Sequence, residues 1–149
     1  AIPDPNPVAS HGAARLRAAG IAVDFGLCAT EARELNIGFV ARLERGRPWT
    51  RMKIAATLDG RTALRDGASQ WITGPQARRD GHHFRARACA ILTGIGTVKD
   101  DDPRLTVRDV PTTRQPLRVL VDSRFDVPDH ARILEGGNLL VEHIEQRIP

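Results

Sequence analysis

A chain of 149 residues that is 41% hydrophobic is long enough for one ordinary domain core, and it contains no apolar run of about 18 residues that would span a membrane. A net charge of +4 and a pI near 10 raise nucleic acid as a partner. Aromatic content is only 4%, tyrosine is absent, and the arginines from Arg15 to Arg147 are mixed with 18 acids, so the stacking platform of a single-strand binder is missing and an Arg-rich solvated surface is expected.

In chain order, the opening AIPDPNP has neither a basic head nor an apolar stretch, so no secretory leader is expected. Val8 to Gly20 reads as a short helix closed by a glycine, and Ile21 to Phe25 as a strand. Thr30 offers an N-cap to a helix in which Ala32, Leu35, Phe39 and Leu43 recur at helical spacing as far as Gly46. Cys28 and Cys89 are far apart and lack metal-ligand spacing, so no metal site is expected here and a reducing cytoplasm is the default setting. Arg45-Gly46-Arg47-Pro48 is a charged joint, and a domain boundary is placed there, dividing 1–47 from 48–149.

After the joint, Trp49 to Leu58 is the strongest strand candidate, ended by the Asp59-Gly60 turn. Thr73 to Gln76 has the pattern of a capping box, and the helix that follows should run to Ala88 with Ala77, Phe84 and Ala88 inward. Cys89–Leu92, Leu117–Asp122 and Asn138–Val141 read as further strands. Strand, helix, strand, strand predicts an α/β fold with a largely parallel sheet, whose open edge is where two copies would pair into a homodimer. Glu142 to Pro149 ends without a cap or closing strand, as a cut chain would.

Some chemistries lack their residues. No His-x-Glu stands with a Pro-Cys-x-x-Cys segment, so a zinc deaminase centre is not present, and no Gly-x-Ser-x-Gly elbow supports a serine nucleophile. The neighbours His82 and His83 point in different directions on a helix and are expected to be exposed. Thr93-Gly94-Ile95-Gly96-Thr97 follows a strand and reads equally as a cofactor loop or a structural turn, with Asp100-Asp101-Asp102 after it expected as a solvated turn.

Lys53, as a cation within an apolar strand, needs an anionic or polar partner if buried. Arg85 and Arg108 are candidate anion clamps, because a guanidinium fork suits phosphate oxygens. Trp71 is either core or a stacking surface. Asp122-Ser123-Arg124 stands at the carboxyl end of a strand, where α/β sheets bind nucleotides, and Ser123 with Arg124 suits a 2′-phosphate. Lys53, Thr97 and Ser123 are therefore expected to share one sheet edge and one groove. A basic nucleic-acid-binding module is the competing class.

Several blocks then line up in order. DPNP (Asp4–Pro7), LRAAGI (Leu16–Ile21), EARELNIGFVARLERGRP (Glu31–Pro48), KIAATLDGRTA (Lys53–Ala63), SQWITGPQARRD (Ser69–Asp80), RARACAILTGIGTVKDDDPRLTVR (Arg85–Arg108) and PLRVLVDSR (Pro116–Arg124) together resemble the bifunctional deaminase–reductase of bacterial riboflavin biosynthesis. The likeness fades from Ile133 onward.

That resemblance implies a dihydrofolate-reductase-like reductase domain over 48–149, present in part, preceded by the tail of a cytidine-deaminase-like domain over 1–47. It implies NADPH-dependent reduction of the ribose of a phosphoribosylated aminouracil, with zinc and deamination belonging to a part upstream of Ala1. A later glycine-rich segment that completes both sites is also missing, so the fragment is expected to be inactive or partly active. By resemblance, cofactor contacts fall at Ala55, Trp71, Thr97, Asp101 and Ser123. Contacts to the reductase substrate fall at Ser69, Arg85, Leu105 and Arg108, with Lys53 close to both ligands and catalytic. Asp4 and Asn6 match the substrate loop of the deaminase. A phosphoribosylated aminopyrimidine is the implied partner; nucleic acid and membrane are not.

Overall fold

Three parallel strands in the order β1-β2-β3 organise the carboxy-terminal part of the chain: β1 (Ala90–Gly94), β2 (Leu117–Val121) and β3 (Leu139–Glu142). The computed structural model describes residues 2–8 and 11–143. The chain divides into two compact units, Ala1–Met52 and Lys53–Pro149.

The first unit holds α1 (Gly12–Ala18), α2 (Ala29–Leu35) and α3 (Ile37–Arg45). The single helix expected from Thr30 to Gly46 is broken at Asn36, whose side chain donates back to the carbonyl of Ala32 at 2.9 Å. Such local side-chain bonding competes with continued helix. Gly46 then ends α3 at a positive φ of 66°, a conformation that glycine adopts without steric cost. The strand expected over Ile21–Phe25 does not form. Arg17 instead donates to the carbonyl of Val23 at 2.9 Å and lies over the Phe25 ring. Ala9 and Ser10 of the expected first helix, and Ile144 to Pro149 of the expected frayed end, lie outside the described residues.

Across the boundary between the units, Trp49–Leu58 is not a strand, which corrects the strongest expectation of the sequence. Apolar character alone does not make a strand; a ladder partner is required, and no described residue supplies one to Lys53–Leu58. The turn at its end does form: Gly60 takes φ +80° and the Thr57 N–H donates to Arg61 O at 2.9 Å. Helix α4 (Pro75–Arg87) begins with proline in its first turn, where a missing N–H costs little. Its N-cap is Gly74 without a side-chain cap bond, so the Thr73 capping box is not realised. The helix faces inward through His82, while Ala77 and Phe84 stay exposed.

Helix α5 (Ile95–Asp101) follows β1 with no intervening loop. Parallel neighbours need crossover connections, supplied by α5 with the 102–116 segment between β1 and β2, and by 122–138 between β2 and β3. Val98, Leu120, Ala131 and Ile133 form the buried cluster between α5 and the sheet, with Ile95, Leu105, Val127, Leu139 and Val141 packed around it. Among the described residues no helix is long and apolar enough to cross a membrane.

Candidate functional site

The carboxyl ends of the strands lie level, with Gly94 opposite Val121 and Val121 opposite Glu142. The chain leaving β1 enters α5, which carries Thr97 in its first turn, and the chain leaving β2 carries Asp122, Ser123 and Arg124. Thr97 and Ser123 therefore emerge from adjacent parallel strands at one edge, the usual ligand edge of an α/β sheet. The expected glycine loop at Thr93–Thr97 is not a loop, because Gly94 is both the last residue of β1 and the N-cap of α5. A Cβ added at Gly94 or Gly96 would meet nothing within 4 Å, so close packing does not require glycine at either position.

Asp122 is 1% exposed, and its Oδ2 accepts the Val127 N–H at 2.9 Å. Burial alone would raise its pKa. The backbone N–H groups of Asp126, Val127 and Arg124 outweigh that and hold the carboxyl below its ordinary range. The bound loop after β2 is tied to α5 through Asp126, whose Oδ2 lies 3.4 Å from Lys99 Nζ and 3.1 Å from Arg124 Nε.

A second cluster forms where α4 meets the irregular segment Arg104–Val110. Arg85 Nη1 donates to the Thr106 carbonyl at 2.8 Å, and Arg108 Nη1 donates to the same carbonyl at 3.2 Å and to Thr106 Oγ1 at 3.1 Å. The two anion-clamp candidates thus meet at one residue. His82 stands between them, 6% exposed: its Nδ1 accepts the Arg108 N–H at 3.3 Å, and Nε2 lies 3.3 Å from Asp109 Oδ2. Burial first, then the charges of Arg85 and Arg108, lower the His82 pKa, with Asp109 acting in the opposite sense. Burial is also the first cause of a lowered Arg85 pKa, followed by the like charge of Arg108.

Side chains from elsewhere hold this segment. Gln115 accepts the Val107 N–H at 2.8 Å and donates to the Val107 carbonyl at 3.1 Å, as a strand neighbour would. Leu105 takes a positive φ of 55°. Arg118, the second residue of β2 and 2% exposed, donates to the carbonyls of Arg104, Ile133, Gly136 and Gly137. An Arg-rich solvated surface is thus only part of the truth. The most buried guanidinium is an internal peg.

Ser69 Oγ donates to Asp101 Oδ1 at 2.8 Å, and Asp102 Oδ1 accepts the Arg132 N–H at 2.7 Å, so these two acids are engaged and do not form a free solvated turn. Trp71 is not core: it is 72% exposed, with the Arg78 guanidinium 4.4 Å above its ring. Lys53 is exposed and Ala55 half-buried, both in the segment that is not a strand, so Lys53 stands outside the three-stranded sheet. In the first unit, Asp4 Oδ1 accepts the Asn6 N–H and Asn6 Oδ1 accepts the Val8 N–H, two successive side-chain turns that shape the DPNP loop.

Gln115 and Arg118 are absent from the candidate residues of the sequence, and His82 figures there only as an exposed helix position. His82 was expected to be exposed; its only signal is the three-residue spacing from Arg85, which puts both on one side of α4. Surface depressions of about 360 Å³ and 410 Å³ are lined by Arg45, Arg47, Pro48, Trp49 and Thr50, and by Ala86, Arg87 and Pro111–Arg114, without any of the expected contacts. Among the described residues no His, Cys, Asp and Glu side chains converge as a metal-binding group.

Comparison with known proteins returns one family, the RibD C-terminal domain, over residues 48–147. The riboflavin biosynthesis protein RibD of Aquifex aeolicus is 48% identical over 132 residues, covering 88% of this chain and 37% of that protein. RibD of Escherichia coli is 48% identical over 145 residues, 89% of this chain and 40% of its own length. Among solved structures, Acinetobacter baumannii RibD aligns with a TM-score of 0.83 at 44% identity, covering 93% of this chain and 41% of that one. A diaminohydroxyphosphoribosylaminopyrimidine deaminase/5-amino-6-(5-phosphoribosylamino)uracil reductase from Thermotoga maritima aligns with a TM-score of 0.83 at 37% identity, covering 93% and 39%. The chain thus spans about 40% of the length of the curated relatives it matches.

Proposed function

This chain belongs to the RibD C-terminal domain family, which has a dihydrofolate-reductase-like fold, and from that membership we propose that it supplies part of an NADPH-dependent reductase of riboflavin biosynthesis. The substrate is 5-amino-6-(5-phosphoribosylamino)uracil, and the product carries a ribityl chain. Residues 48–149 are then the first part of the reductase domain, and 1–47 the tail of a deaminase domain whose zinc centre lies in a different part of the protein.

One observation carries this reading: Thr97 and Ser123 follow adjacent parallel strands at one edge, and the helix that carries Thr97 also carries Asp101, bonded to Ser69. Ala55, Trp71, Thr97, Asp101 and Ser123 hold the cofactor, and Arg124 is available to its 2′-phosphate. Bound NADPH supplies the hydride. Arg85 and Arg108 take the substrate phosphate between them, with Ser69 and Leu105 lining its path. The ring-opened ribosylamine presents an imine-like carbon, which must be held about 3–3.5 Å from the hydride donor with water largely excluded. Lys53 offsets the charge that develops there.

Reductase membership leaves the nucleic-acid-binding alternative unsupported, and several arginines that suggested it are occupied within the fold. Tryptophan fluorescence titration tests the proposal. Saturable quenching by NADPH, with none by random-sequence DNA, is the expected result. Quenching by DNA that weakens steeply with salt, and no response to NADPH, would overturn it.

A further inference from the structure

Arg85 and Arg108 approach the same carbonyl, yet among the described residues neither forms an ion pair with a carboxylate. Two like charges in this position repel each other, and something must hold them together before any anion arrives. Thr106 contributes one carbonyl and one hydroxyl. The other shared contact is His82. Its Nδ1 accepts the backbone N–H of Arg108 at 3.3 Å and lies 3.4 Å from Arg85 Nη1, so one ring nitrogen faces the guanidinium of Arg85 and the main chain of Arg108.

The ring can do this in only one form. Nε2 faces Asp109 Oδ2 at 3.3 Å, which requires a proton on Nε2 and leaves the Nδ1 lone pair free to accept. The charged groups around it are Arg85 on its own helix, and Arg108 and Asp109 on the facing segment. The two cations and burial favour the neutral ring, and Asp109 fixes which nitrogen is protonated.

We propose that His82, as the neutral Nε2–H tautomer, is the positioning residue that aligns Arg85 and Arg108 into one receptor for a phosphate monoester. This rests on the reading that the two arginines take the substrate phosphate. His82 does not touch the phosphate. It sets the backbone from which Arg108 reaches it, while the position of Arg85 is shared through Thr106.

The test uses the whole chain, with ribose 5-phosphate as the probe, ribose as the control and NADPH as the second ligand, each by calorimetric titration. His82→Leu should raise the Kd for ribose 5-phosphate about tenfold, as expected for one lost hydrogen bond, with the NADPH Kd within about twofold of wild type. His82→Asn places an amide oxygen where Nδ1 stood and should restore most of the phosphate affinity. Unchanged phosphate affinity in His82→Leu would overturn the proposal. So would a parallel loss of both ligands, or no rescue by asparagine.

Arg85→Ala and Arg108→Ala separate the two levels. If neither weakens ribose 5-phosphate, the phosphate reading itself fails; if both do and His82→Leu does not, only the role of His82 fails. A third readout is independent of how well the variants fold. Long-range ¹⁵N–¹H spectra of the wild-type chain at pH 7 should show the His82 Nδ1 as an unprotonated ring nitrogen, and an Nδ1–H or doubly protonated ring there would overturn the assignment.

Discussion

Ser69 Oγ donates to Asp101 Oδ1 at 2.8 Å, joining the segment before α4 to the last turn of α5. One of these residues is proposed to meet substrate and the other cofactor, so the bond makes the two sites one unit. Ser69→Ala should weaken NADPH binding as well as substrate binding, and Asp101→Ala the reverse pair. Residues sharing one hydrogen bond show coupling of about 0.5–3 kcal/mol, so the double variant should lose far less than the sum of the two. Additive losses in calorimetric titrations would show that the sites are independent.

Lys53 is exposed on an irregular segment, and its proposed task is electrostatic. Lys53→Ala in the complete reductase should lower turnover by about a hundredfold, the scale of one lost charge-stabilising group, with little effect on NADPH affinity. NADPH oxidation followed at 340 nm reads this. Unaltered turnover would remove the lysine from the mechanism.

Arg124 pairs with Asp126 among the described residues and is largely open to solvent. Substituting Ser123 and Arg124 together by alanine should cut the preference for NADPH over NADH by at least about tenfold, because hydrogen bonds to a charged group contribute about 1.5–3 kcal/mol. An unaltered ratio of kcat/KM values would place the reading of the 2′-phosphate elsewhere.

His82 has a lowered pKa in the folded chain against an ordinary value of 6.5. As pH falls through 6.5, the unfolded chain takes up a proton at this position that the folded chain still refuses. Unfolding therefore becomes more favourable on acidification, and the loss ends only below the folded-state pKa. Thermal melts should show Tm falling between pH 7 and pH 5.5 in the wild type, with a flatter profile in His82→Asn. Equal slopes would mean that another group controls the transition.

Arg118→Met leaves the carbonyls of Arg104, Ile133, Gly136 and Gly137 without their donor. Unsatisfied buried groups cost about 1–3 kcal/mol each, partly relieved by water, so a net loss of about 3 kcal/mol is expected from denaturant melts. Arg118→Lys should recover part of it, since one ammonium reaches fewer acceptors than the planar fork. A loss no larger than for an exposed arginine would contradict the role of an internal peg.

The three strands and α4 were legible in the sequence because each is a bounded run whose partners lie within the same unit. Thr97 and Ser123 could be placed for the same reason: each follows an apolar strand directly. The segment Trp49–Leu58 has an equally strong pattern and fails, because a strand is a relation between two stretches and only one of them is visible in a linear reading. His82 and Arg118 were missed for a related cause. Their burial depends on carbonyls and N–H groups distant in sequence, such as Arg108 N for His82 and Ile133 O for Arg118. A polar residue gives no sequence signal of the acceptor that awaits it.

Gly94 belongs at once to β1 and to the cap of α5, so no slack separates sheet from helix. Adding a single residue there would turn the whole of α5 by about 100° about its axis. Thr97 would swing away from the edge it shares with Ser123, and Asp101 away from Ser69. The phase of this short helix is therefore geared to the sheet, and chain length at this junction is under tighter constraint than side-chain identity on either side of it.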